Sequence, residues 1–155
     1  MIVALLIAHG LMAVALLGAV THQAFSSYRP RAGQGQHGFV ARYRGVAAAA
    51  FTNAIVLLFA ATCLGGAFLY PQYRIDVRPA LEEQQLRAAN GIFEIKEHLA
   101  AVGLGVLPAY WWFWSTPLAT ESATARWVLT WILTVICWWN FLVGHVLNNL
   151  KGLLP

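Results

Sequence analysis

With 155 residues, 59% of them hydrophobic and only 10% charged, the chain cannot cover a soluble fold with polar groups; soluble domains carry about 25% charged residues. The net charge of +4 does not mark a nucleic-acid binder, because the basic residues sit in short links between apolar runs, where head groups and topology signals account for them. The length suits one helical membrane bundle and leaves no room for a second domain.

Four apolar stretches are long enough to cross a bilayer, at about 2–21, 46–69, 95–114 and 127–148; a hydrocarbon core about 30 Å thick needs roughly 20 residues. Backbone groups in lipid must be satisfied within the segment, which makes each stretch a helix. None alternates as a barrel strand would. The fold class expected is therefore all-α, an integral membrane four-helix bundle in contact with the lipid bilayer. The first stretch lacks a preceding Lys or Arg, the first basic residue being Arg29, so it reads as a span and not a signal peptide.

The links differ. Residues 22–45 hold Arg29, Arg31, Arg42 and Arg44 without an acid, and also Gly33, Gly35 and Gly38. Residues 70–94 mix both signs, and Pro79 to Asn90 has the pattern of a short amphipathic interfacial helix. Pro117 begins the last link. Lys and Arg divide five to five between the two sides. The acid-free density of the first link places it in the cytoplasm of a bacterial inner membrane, with both termini periplasmic.

All seven Trp residues follow residue 110. Tyr110 to Trp114 and Trp127 read as interfacial anchors, and Trp131, Trp138 and Trp139 as packing or lipid-facing rings. Cys63 and Cys137 fall inside apolar runs and read as small hydrophobes. Thr130, Thr134, Asn140 and Asn53 are suited to interhelical hydrogen bonds.

Ionisable groups inside a membrane are costly and ask for a reason. His9, His98 and His145 fall near the start of the first span, the start of the third and the end of the fourth. Alternating spans bring these three positions to one side, whichever way the chain inserts. At about 1.5 Å per residue, His9 lies roughly 10 Å below its helix end and the other two roughly 5 Å below theirs.

Gly10 follows His9, Gly144 precedes His145, and Ala101 and Gly105 lie near the face of His98. Small residues beside an imidazole leave room for a flat group, and haem b held by two helix-borne histidines needs that room. The ligand set expected is His98 with His9 or His145, the third histidine meeting a propionate or a quinone oxygen. Asn149, four residues after His145, is placed to orient its ring. Arg74, Arg78 and Lys96 are available to propionates on this side. His22 points roughly 220° away from His9 and reads as interfacial, and His37 as a loop residue. The ligand logic, and that alone, resembles membrane b-type cytochromes.

Two other readings stand beside a haem b electron-transfer protein. Glu94 and His98 share a helix face and, with His9 or His145, would suit a non-haem metal. Against this, acids in a first helical turn are favourable by themselves. The third reading is a non-catalytic subunit of a larger membrane complex, or a homo-oligomer, with the small residues Ala47 to Ala50 and Gly65-Gly66 allowing close helix approach. Walker A, GxSxG, HExxH and CxxCH patterns are absent, and no residue identifies a substrate.

Overall fold

The computed structural model describes residues 2–27, 47–116 and 120–152. The expectations on Arg29, Arg31, Arg42, Arg44, His37, Pro117 and the glycines of the first link fall outside these residues. Four long helices dominate: α1 (Ile2–Ser26), α2 (Thr52–Gln72), α4 (Arg87–Ser115) and α5 (Ala123–Gly152). A short α3 (Arg78–Glu83) follows α2 through a single π-helical turn, Tyr73–Val77. No strand occurs among the described residues.

Three helical segments are long and apolar enough to cross a membrane: Ile2–Ser26, Ala48–Glu83 and Ala123–Asn149. That is consistent with an integral membrane protein. The fourth long helix, α4, has 29 residues, but Arg87, Glu94, Lys96 and Glu97 all fall in its N-terminal half. Val3, Leu11, Leu57 and Phe68 are each at least 67% exposed, an outward apolar surface that suits lipid and not water.

Each long helix packs on two others: α1 and α4 both lie between α2 and α5. The end of α1, the start of α2, the end of α4 and the start of α5 gather at one end of this ring. The core holds Leu17, Val20, Ile55, Phe59, Leu107, Tyr110 and Leu133. In a bilayer, where lipid tails are as apolar as these side chains, close packing and interhelical hydrogen bonds would hold the helices together more than exclusion from water.

That gathered end is closed by polar bonds. The Tyr110 hydroxyl donates to Gln23 Oε1, whose amide nitrogen donates to the Ala48 carbonyl at 3.0 Å and to Thr52 Oγ1 at 3.4 Å. Gln23 is fully buried. Indole N–H groups do similar work: Trp111 to Asn53, Trp114 to Thr130 and Trp138 to Thr21, at 3.0–3.1 Å. Three of the tryptophans thus tie helices together in addition to any anchoring role. Of the polar residues expected to bridge helices, Asn53, Thr130 and Thr134 do so, the last to the Val20 carbonyl at 3.5 Å, whereas Asn140 bonds the Ile136 carbonyl of its own helix.

Pro79 to Asn90 does not form one interfacial helix. α3 ends at Glu83, and the chain reverses through Gln84 to Leu86 before α4 starts at Arg87. Gln85 adopts φ 60°. The Leu86 N–H bonds the Leu81 carbonyl at 2.8 Å and the Gln85 N–H bonds the Glu82 carbonyl at 3.0 Å. This 6→1 and 5→2 pair satisfies the carbonyls at the end of α3. The turn drives Leu81, 1% exposed, onto Ala89, Val143 and Leu147.

Candidate functional site

The opposite end of the bundle, where α1 and α4 begin and α2 and α5 finish, holds a cavity of about 370 Å³. Its size falls among small-molecule sites, which span about 300–1,000 Å³. α1 contributes His9 and Gly10, and α5 contributes Asn140, Gly144, His145 and Asn148. Lys96 and Glu97 enter from α4, and Tyr70 and Gly66 from α2.

His9 owes its position to the Gly65-Gly66 pair. A Cβ at Gly65 would lie 3.2 Å from His9 Nδ1, and one at Gly66 would lie 3.5 Å from its Cε1. The imidazole therefore rests against helix backbone that a larger residue would cover. Nδ1 is buried without a hydrogen-bond partner, and the ring lies near the Thr62 backbone. The ring lines the cavity.

His145 is exposed at the rim. Its Nε2 lies 3.1 Å from Asn149 Nδ2, so the amide donates and the ring proton sits on Nδ1. Phe141 stacks on the ring with an interplanar angle of 6°. Asn149 thus holds the imidazole as its i, i+4 spacing predicts, but through the nitrogen that would otherwise be open to a ligand.

His98 goes elsewhere. It is exposed, it does not line the cavity, and its Nδ1 donates to the Glu94 carbonyl at 2.7 Å. The shared face of Glu94 and His98 is thereby used through backbone. The Glu94 carboxylate turns to Arg78, at 3.7 Å, while Arg78 also pairs with Glu82 at 2.8 Å. Among the described residues no three of His, Cys, Asp and Glu come together as a metal-holding group. His22 lies toward the closed end, its ring 4.8 Å from that of Phe51.

Of the three cations available on this side, Arg78 is taken by carboxylates and Arg74 lies 6.0 Å over the Tyr70 ring. Lys96 alone lines the cavity. Its Nζ stands 5.1 Å over the Phe93 ring, and its Cε lies 3.7 Å from where a Gly144 Cβ would be. The missing side chain at Gly144 is what lets the lysine stem cross from α4 to α5.

The structure therefore brings His9, Gly10, Gly144 and His145 to one cavity and keeps Glu94 and His98 outside it. Asn140, Asn148 and Tyr70 join the lining without a sequence pattern that singles them out. The fit to a flat iron-bearing group rests on His9: its imidazole lines the cavity beside Gly10 and Gly66, and its buried Nδ1 is without a hydrogen-bond partner. No protein-family model, curated protein or solved structure matches the chain.

Proposed function

We propose that the protein is a four-span integral membrane protein that holds haem b in this cavity and passes electrons within the membrane. α4 is the third span, its polar first turns standing at the surface. The first link faces the cytoplasm of a bacterial inner membrane, which puts the cavity on the periplasmic side.

The observation that carries the reading is the convergence of His9 and His145, each beside a glycine, on one cavity. His9 would ligate through Nε2. His145 would ligate once Asn149 releases its ring, which costs one hydrogen bond, about 1 kcal/mol. Bound there, haem b supplies one-electron redox chemistry. The chain's own residues orient it and exclude water: the Gly65-Gly66 surface fixes the His9 ring plane, and Tyr70, Phe93 and Phe141 wall the site.

A reduced-minus-oxidised visible spectrum of detergent-purified protein, expressed with ample haem, tests this. The expected result is sharp α and Soret bands at about one haem per chain, lost in His9→Ala. A featureless spectrum overturns it, and stable co-purification with a large partner would then favour the subunit reading.

A further inference from the structure

Lys96 presents an unusual charge balance. It lies among apolar walls at the level where α4 enters the bundle, and it makes no ion pair among the described residues; the carboxylates of Glu82 and Glu94 go to Arg78 instead. Glu97 also lines the cavity, but adjacent residues on a helix do not face one another. The ammonium stands over the face of Phe93 and feels the Glu97 carboxylate only beyond ion-pair distance, both weak substitutes for a bonded counter-anion. A cation in such a place is expensive unless paired.

The surroundings supply what an anion would need besides charge. Asn148 brings an amide donor to the lining, and Asn140 keeps one amide hydrogen beyond the one it gives to the Ile136 carbonyl. Ile2, Leu6 and Leu69 offer an apolar wall beside them. A polar, cationic head and a greasy flank describe a site for an amphiphile that carries an acid group.

We propose that Lys96 makes the cavity a carboxylate site, pairing with the acid group of an amphipathic ligand whose apolar body lies on the α1 and α2 walls. Two sources share this chemistry, a haem propionate and a fatty acid. The first rests on the haem reading above; the second stands without it.

The test compares each acid with its neutral ester, in a neutral detergent. Haemin and haemin dimethyl ester are followed by the Soret band, and oleic acid and methyl oleate by the thermal stabilisation they confer. The acid should bind more tightly than the ester by roughly ten- to hundredfold, the range of a charge-assisted hydrogen bond. Lys96→Gln should abolish the difference and Lys96→Arg should keep it. The comparison within the wild-type chain needs no variant to fold.

A preference in the haemin pair assigns the propionate. A preference confined to the oleate pair, lost in K96Q, supports the carboxylate site while the haem reading falls. Haemin and its ester binding equally, with no preference for oleic acid, overturns the carboxylate site and leaves the haem reading intact. Absence of binding in both pairs, or a preference that survives K96Q, also overturns the site.

Discussion

The ring of Phe59 on α2 fills the space that a Cβ on Gly103 of α4 would need. Phe59 is 3% exposed and has nowhere to retreat. Gly103→Ala should therefore destabilise the fold by about 1–3 kcal/mol, the usual cost of overpacking. Gly105, two residues on, has nothing within 4 Å of its would-be Cβ. Gly105→Ala should leave stability unchanged or raise it slightly, alanine being the better helix former by about 1 kcal/mol. Thermal unfolding of both variants in one detergent checks the contrast. Equal effects would mean that the α2–α4 contact is not set by this pair.

Gln23 and Tyr110 form the second test. Removing either leaves a buried partner without its bond, at about 1–3 kcal/mol. Gln23→Leu should cost more than Tyr110→Phe, because it also frees the Ala48 carbonyl and Thr52. The two losses should not add, since both variants break the same bond. A double-mutant cycle on thermal or chemical unfolding reads the coupling. Strict additivity would show that the bond contributes nothing.

Much of this was legible in the sequence. Apolar length and low charge led to the helices, and simple alternation led to the shared side of His9 and His145. Which histidines face inward was not legible. A helix turns about 100° per residue, so an error of one or two residues in setting a face carries a side chain from the cavity to the outer surface. His98 is such a case: its ring bonds the carbonyl four residues back and is exposed.

Gln23 lies beyond the apolar run that ends at about residue 21, so by sequence it reads as part of a link and not as a buried network residue. The start of α4 was hidden for a similar reason. Arg87 and Glu94 fall in the polar stretch that reads as a link up to residue 94, yet the chain is already helical there. Nor does a glutamine advertise a left-handed turn, a conformation that glycine or asparagine usually takes.

Gln85 leads to the third prediction. Its φ of 60° carries the steric cost of a Cβ in the left-handed region, roughly 1–2 kcal/mol. Gln85→Gly removes that cost but loosens the unfolded chain, by about 0.4–1 kcal/mol. The net expectation is a gain of up to about 1 kcal/mol with the turn preserved. Thermal unfolding measures it. A loss of stability would show that the side chain of Gln85 contributes more than its backbone strain costs.

The histidines provide the last prediction. His9→Ala and His145→Ala should each lose the haem spectrum, whereas His98→Ala should retain it, because that ring stands outside the cavity. Gly65→Ala is the finer probe. The new Cβ would press on His9 Nδ1 at 3.2 Å, so the ring must shift or turn while every proposed ligand stays in place. A shifted ligand should move the reduction potential and the Soret band without abolishing binding, since ligand orientation tunes the metal. Asn149→Ala acts in the other direction. It leaves His145 Nε2 free of its amide partner and should tighten haem binding by up to about fivefold, the worth of one hydrogen bond of about 1 kcal/mol. If Asn149→Ala weakens binding instead, the amide holds the ring for the ligand and does not compete with it. If Gly65→Ala and Asn149→Ala both leave the spectrum, potential and affinity of a haem-bearing protein unchanged, then neither His9 nor His145 is the iron ligand, and His98 on the outer face of α4 becomes the residue to replace.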